Sequence, residues 1–278
     1  CTVMSLEPMG GILAAAVTPL DASGSFAPEP FERLLARCFK AGCHGVYVNG
    51  FPGEGLQQSV EQRKLVAEVA VANAPKGKQV ILHIGAGSTQ AAVELARPAP
   101  RLRAPAVSSL PPPGSFSTEE VLDYYKTVAG AAEVPFLVYY FPALCPQLTN
   151  IETLLELVSY PNVAGLKFTD FDLHKLQILR DHCECIFNGR DEILAAGLLM
   201  GADGGIGTFY NLVPELFFAV YEAAQAGDWQ KAVAAQREIN RLITTVCRFP
   251  VIGATKAILR WQGIDCGAPV APRAALTP

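Results

Sequence analysis

Short runs of consecutive apolar residues alternate along the whole chain with stretches whose apolar positions recur every three to four residues. The first pattern suits a strand buried on both faces, and the second suits an amphipathic helix. On that basis 11–17 is predicted to be a strand and 29–41 a helix, followed by 45–48 and 60–72, 80–84 and 88–96, and 106–108 and 118–131. The second half repeats the pattern with 136–140 and 151–158, 164–167 and 172–180, 185–188 and 192–200, and 204–207 and 213–226. Strand–helix units at such even spacing predict an α/β fold, a closed parallel (β/α)8 TIM barrel rather than an open doubly wound sheet. Two further helical stretches, 229–246 and 252–261, and a Pro-rich tail follow. The expected organisation is one structural unit, with a barrel over 9–227 and a C-terminal helical extension over 228–278 packed on it.

One stretch resists the pattern. Pro98, Pro100 and Pro105 fall where the third helix should finish, and an interior proline costs a helix about 3 kcal/mol or more. The helix is expected to stop near Ala96 and the chain to continue extended. Pro111-Pro112-Pro113-Gly114 is a second rigid segment, placed where a loop after the fourth strand would lie.

Composition narrows the class. The chain has 278 residues, half of them hydrophobic and 17% charged, enough for one large core. Its net charge is −4 and its 22 basic residues are scattered, which gives no case for nucleic acid or an anionic membrane as a partner. No apolar run reaches the roughly 18–20 residues that span a bilayer, and 9–17 lacks the basic flank of a signal peptide. The chain opens on Cys1, so a start at Met4 or further upstream is expected. The cysteines are dispersed, and Cys183-Glu184-Cys185 lacks the two-residue gap of a zinc or redox pair, although in a strand the two thiols would share one face. They are expected to be free thiols in a reducing cytoplasm, with no metal site.

The chemistry gathers at strand ends. The run Val163-Ala164-Gly165-Leu166 closes on Lys167, with a helix start near Thr169 and Asp170. A lysine at the mouth of an apolar barrel loses hydration, its pKa falls, and the free amine can condense with a ketone. Lys167 is equally explained as the point where a strand meets solvent. The fifth strand ends in Tyr139-Tyr140, the seventh leads into Gly189-Arg190-Asp191-Glu192, and the eighth into Gly207-Thr208. Tyr139 suits a proton shuttle, and carboxylates with a hydroxyl suit a polyhydroxylated substrate.

Four motifs carry a resemblance that covers nearly the whole chain: Tyr139-Tyr140-Phe141-Pro142-Ala143-Leu144, Gly165-Leu166-Lys167-Phe168-Thr169-Asp170, Gly189-Arg190-Asp191-Glu192, and 201–208. The chain resembles the dihydrodipicolinate synthase / N-acetylneuraminate lyase family of class I aldolases, on the side of the lyases. The resemblance implies a Schiff base between Lys167 and the ketone of a small-molecule 2-oxo acid or sugar acid, with Tyr139 as proton shuttle. It implies that Gly189, Asp191, Glu192 and Thr208, beside Gly207, hold the hydroxylated part of the substrate. It also implies no cofactor beyond the lysine itself, and a homo-oligomer, a tetramer or dimer.

Two places depart from the family. Its loop after the second strand presents hydroxyls that grip the substrate carboxylate; here Gly50-Phe51-Pro52 stands there, with no hydroxyl on Phe51 and no N–H on Pro52. Each lost hydrogen bond to a charged group is worth about 1.5–3 kcal/mol. After the fourth strand, many relatives place a tyrosine of the proton relay; here Pro112, Pro113 and Gly114 occupy that neighbourhood, leaving Tyr139 with Tyr140 or water. Three readings stay open: a carbon–carbon lyase, another Schiff-base reaction of the family such as dehydration or hydratase-aldolase chemistry, and a catalytically silent ligand-binding barrel.

Overall fold

The computed structural model describes residues 8–276, so Cys1 and Met4 lie outside the described residues. Parallel strands close on themselves in chain order: β1 Gly11–Ala15, β2 Gly45–Val48, β3 Gln79–His83, β4 Ala106–Ser109, β5 Phe136–Tyr140, β6 Val163–Phe168, β7 Cys185–Asn188 and β8 Gly204–Gly207. Helices α1 Pro28–Lys40, α2 Val60–Ala72, α3 Thr89–Ala96, α4 Ala99–Leu102 and α5 Thr118–Ala131 return the chain in the first half. In the second half α6 Ile151–Val158, α7 Leu173–Arg180, α8 Leu194–Leu199 and α9 Pro214–Gln225 do so, and α10 Trp229–Val246 and α11 Val251–Trp261 follow. This is the expected (β/α)8 barrel. Ser59, Ser88, Ser117, Asn150, Asp172 and Asp228 each accept a first-turn backbone N–H, which is why helices begin at those polar residues. No single described helix is long and apolar enough to cross a membrane.

Alternation along the strands divides the apolar residues into two layers. One lies between strands and helices and includes Val46, Val138, Tyr140, Leu166 and Phe168. The other fills the barrel lumen with Leu13, Tyr47, Ile81, Leu137, Tyr139 and Phe187 among others. The β5–β6 register jumps by one residue: Phe136 pairs with Val163 but Leu137 pairs with Gly165, leaving Ala164 as an extra residue. Beyond that bulge Tyr139 stands opposite Lys167.

Several expectations need correction. The chain after Ala96 is not extended: Pro98 has α-helical dihedrals and α4 starts directly after it, ending at a left-handed Arg103. A proline in the first turn gives up only an N–H that has no helical partner, so Pro98 and Pro100 start a helix there instead of breaking one. Phe168, not Lys167, ends β6, and the following helix begins at Leu173 under an Asp172 cap. Thr169 continues the sheet pairing instead, donating its N–H to the Tyr140 carbonyl at 2.8 Å. Asp191 and Glu192 sit in a separate 3-10 turn, Asp191–Ile193, ahead of α8. Cys183 precedes β7 and does not share a strand face with Cys185. Cys38, Cys43, Cys145, Cys183, Cys185, Cys247 and Cys266 are free thiols.

The segment after α11 is tied back to the loop after β2 through one buried carboxylate. Glu54, left-handed at φ 55°, buries its side chain completely. Lys256 Nζ, on α11, lies 2.8 Å from Glu54 Oε2, an ion pair whose alignment falls outside hydrogen-bond geometry. The Val270 N–H donates to Glu54 Oε1 at 2.7 Å, and Lys256 donates to the Ala268 carbonyl at 3.1 Å. Removing Lys256 leaves the buried Glu54 carboxylate with only the looser contact to Arg273, whose Nε stands 3.6 Å away, as charge partner. Lys256→Met is therefore expected to lower unfolding free energy by about 3–5 kcal/mol, with the Glu54→Gln/Lys256→Met double variant recovering part of that loss. Urea unfolding followed by circular dichroism measures both, and a loss near zero for the single variant would contradict the reading.

Candidate active site

Alternation in β6 decides where the lysine goes. Leu166 and Phe168 point to the helix layer, so Lys167 between them points into the lumen, where only 2% of it is exposed. Its Nζ lies 3.9 Å from the Tyr139 ring centroid and 4.5 Å from that of Tyr47. The aromatic faces give weak electrostatic support to an ammonium but cannot hydrate it. Burial lowers the Lys167 pKa to about 7, against the opposing pull of the Asp191 carboxylate.

Tyr139 is packed as tightly. Its ring stacks on Phe141 at 6.1 Å and meets Tyr47 and His83 edge-on at 6.0 Å each. Burial, and to a smaller degree Asp191, raise its pKa well above the ordinary phenol range. The Tyr47 hydroxyl donates to Ser108 Oγ at 2.9 Å. Tyr140 does not join this group. It faces the opposite way, bonds Asp170 Oδ2 at 3.0 Å and packs against Phe168, which corrects its expected share in a relay.

Asp191 supplies the carboxylate. Its Oδ2 accepts the Phe209 N–H at 2.8 Å, and burial raises its pKa to about 7 against that hydrogen bond. Glycine makes the room: a Cβ on Gly207 would fall 1.9 Å from Asp191 Oδ1, and one on Gly189 would fall 2.1 Å from Thr169 Oγ1. α10 fixes the turn from outside. Gln236 donates to the Asp191 carbonyl and Asn240 to that of Glu192, each at 2.9 Å. Glu192, Gly189 and Thr208 are half-buried at the same barrel end.

The loop after β2 is held by a separate lattice. The Leu110 N–H donates to His83 Nε2 at 3.1 Å, so the His83 proton sits on Nδ1 and goes to the Asn49 carbonyl at 2.9 Å. Burial, then the Arg63 charge, hold His83 well below the ordinary imidazole range, so it stays neutral. Arg63 is itself buried and donates to the Gly85 and His83 carbonyls at 2.7 and 2.8 Å. Gly50 packs on the Tyr47 ring, where a Cβ would come within 2.5 Å. Pro52 is buried, and Phe51 meets Phe141 edge-on at 6.4 Å. A cavity of about 270 Å³ opens there, walled by Gly50, Phe51, Leu110, Pro111, Leu144 and Arg273 among others.

Lys167, Tyr139, Asp191 and Gly207 thus converge at one end of the lumen, with Gly50 and Phe51 on an adjoining wall. Sequence reasoning missed Tyr47, Arg190 and Arg273. Tyr47 had a signal, because it occupies the lumen phase of β2 as Lys167 does of β6. Arg190 covers Phe171 at 4.5 Å and Phe141 at 5.3 Å, and Arg273 covers Phe51 at 4.6 Å. Among the described residues no group of three or more His, Cys, Asp or Glu side chains could hold a metal ion.

Known proteins match this chain along nearly all of its length. The dihydrodipicolinate synthetase family model matches residues 8–277. N-acetylneuraminate lyase of Escherichia coli is 36% identical over 259 residues, 91% of this chain and 87% of that protein. The lyase of Salmonella agona is 36% identical over 275 residues, 96% of this chain and 92% of that protein. The solved structure of the Ruminococcus gnavus sialic acid aldolase superposes with a TM-score of 0.92 at 32% identity, covering 98% of this chain and 93% of that one. The aromatic-walled lysine therefore stands in a barrel with known relatives, and the chain belongs to the dihydrodipicolinate synthetase family.

Proposed function

We propose that the protein is a Schiff-base carbon–carbon lyase that cleaves or forms the bond between a pyruvate unit and an aldehyde, as N-acetylneuraminate lyases do. The observation that carries this reading is the Lys167 amine, buried between two aromatic rings with its pKa lowered to about 7. At neutral pH much of it is the free base that attacks a ketone. Loss of water then gives an iminium on Lys167, which takes up the electron pair as the neighbouring carbon–carbon bond breaks and so becomes an enamine. In condensation the pyruvate iminium first gives up a methyl proton to form that enamine, which supplies the pair to the aldehyde carbon. No other cofactor is needed for that step. Tyr139, kept a phenol by burial, donates its proton to the aldehyde oxygen during condensation, and the proton returns by the same route in cleavage. Asp191, Glu192 and Thr208, with Gly189 and Gly207 making room, hold the hydroxylated part of the substrate. The kinship with N-acetylneuraminate lyases supports a sugar acid as that substrate. The Ruminococcus gnavus aldolase has also been solved as a catalytic lysine mutant, which agrees with a lysine at the centre of the chemistry.

Borohydride reduction with pyruvate, followed by peptide mass mapping, is expected to place a stable adduct on Lys167 and none in Lys167→Ala. With N-acetylneuraminate as substrate, pyruvate release should follow, and Tyr139→Phe should lower kcat by about 10²–10⁴-fold while still forming the adduct. Absence of any adduct in the native chain would overturn the lyase reading, and a dehydrated oxo acid of full carbon count would move it to dehydration.

The pH dependence has a definite sign. The free amine fraction grows as pH rises through about 7, so the trapping rate should climb there and then level off. Asp191→Asn removes the carboxylate that favours the ammonium, and the midpoint should move to lower pH. A midpoint near the ordinary lysine value of 10.5 would show that the amine is not desolvated in solution.

A further inference from the structure

Arg273 has to share its counter-ion, the Glu54 carboxylate, with Lys256. Glu54, the nearest carboxylate, is already engaged by Lys256 at 2.8 Å and by the Val270 N–H at 2.7 Å. Arg273 Nε stands 3.6 Å from Glu54 Oε1 and, although buried, makes no hydrogen bond. One buried carboxylate thus faces two cations. The guanidinium lies over the Phe51 ring at 4.6 Å, on the wall of the 270 Å³ cavity, and no other described residue of that wall is charged.

A cation beside apolar walls is costly to desolvate unless an anion joins it. A guanidinium with one face covered by an aromatic ring still presents its edge donors, which match the two oxygens of a carboxylate. The cavity wall touches the rings around the amine: a Cβ on Gly50 would come within 2.5 Å of the Tyr47 ring, whose centroid lies 4.5 Å from Lys167 Nζ. Leu110 belongs both to that wall and to the lumen layer of Tyr47 and Tyr139, and ring contacts run from Phe51 through Phe141 to Tyr139. We propose that Arg273 binds the carboxylate of the incoming 2-oxo acid, with Phe51 as the platform that orients its guanidinium. The C-terminal segment then supplies the anion-binding group that Phe51 and Pro52 cannot. This rests on the 2-oxo acid reading above and names the specificity-determining group within it.

The test measures borohydride-trapped adduct on Lys167 against concentration for pyruvate and for hydroxyacetone, an uncharged ketone of similar size, using the full chain. Arg273→Met is expected to raise half-saturating pyruvate by about tenfold or more and leave hydroxyacetone trapping unchanged. Arg273→Lys, which keeps the charge but not the planar fork, should fall between Met and the native residue, and it carries the test if Arg273→Met does not fold. The proposal is overturned if pyruvate half-saturation is unchanged in the variants, or if both ketones weaken in parallel, the mark of a merely structural role. It is also overturned if the native chain shows no preference for pyruvate over hydroxyacetone. Failure of the native chain to trap pyruvate at all would instead remove the lyase reading on which the proposal rests.

Discussion

Desolvation of a single amine is the constraint on which the candidate site depends. A lysine in a barrel lumen has no water to stabilise its charge, and here the rings of Tyr47 and Tyr139 occupy the space that water would take. Among the described residues, the carboxylate acting against that loss is Asp191, itself buried and driven toward its neutral form. Because each group is the other's partial counter-charge, neither behaves as it would in water. A closer, better solvated carboxylate would lock the lysine as an ammonium. With none, the amine would be neutral across a wider pH range.

The lumen is shaped from outside the barrel. α10 reaches the turn that carries Asp191 through Gln236 and Asn240, and α11 with its following segment reaches the loop after β2 through Lys256 and Val270. Both loops lie at the end of the barrel where Lys167 sits. The C-terminal residues therefore act as a clamp on two sides of the site, and the conformation of Glu54, a non-glycine residue in the left-handed region, persists because that clamp determines it.

Much of this was readable in the sequence, for identifiable reasons. Each strand is a short apolar run, each long helix has its periodic face, and polar caps such as Ser117 mark where helices begin. Lys167 was legible because a lysine inside an apolar run contradicts its surroundings. Tyr47 was not, since a tyrosine in a strand is ordinarily a core residue and only the closed register shows it beneath an amine. The Glu54–Val270 contact joins residues 216 positions apart, and no local pattern announces a link of that kind. The segment after Ala96 was misread because the effect of a proline depends on where a helix starts, which the prolines themselves helped to decide.

The bulge at Ala164 has a consequence for how this site can change over time. Tyr139 and Tyr140 are neighbours with opposite destinations, one in the lumen and one bound to Asp170 among the helices. The bulge sets Tyr139 opposite Lys167; were the same residues paired in unbroken register from Phe136 and Val163, Tyr140 would stand there and the amine would turn outward with it. Point substitutions can therefore adjust the chemistry around the amine gradually, whereas gain or loss of one residue between the bulge and Lys167 would remove it in a single step. The phase of β6 is in that sense inherited as a whole, and new substrates are reached through the loops that surround it.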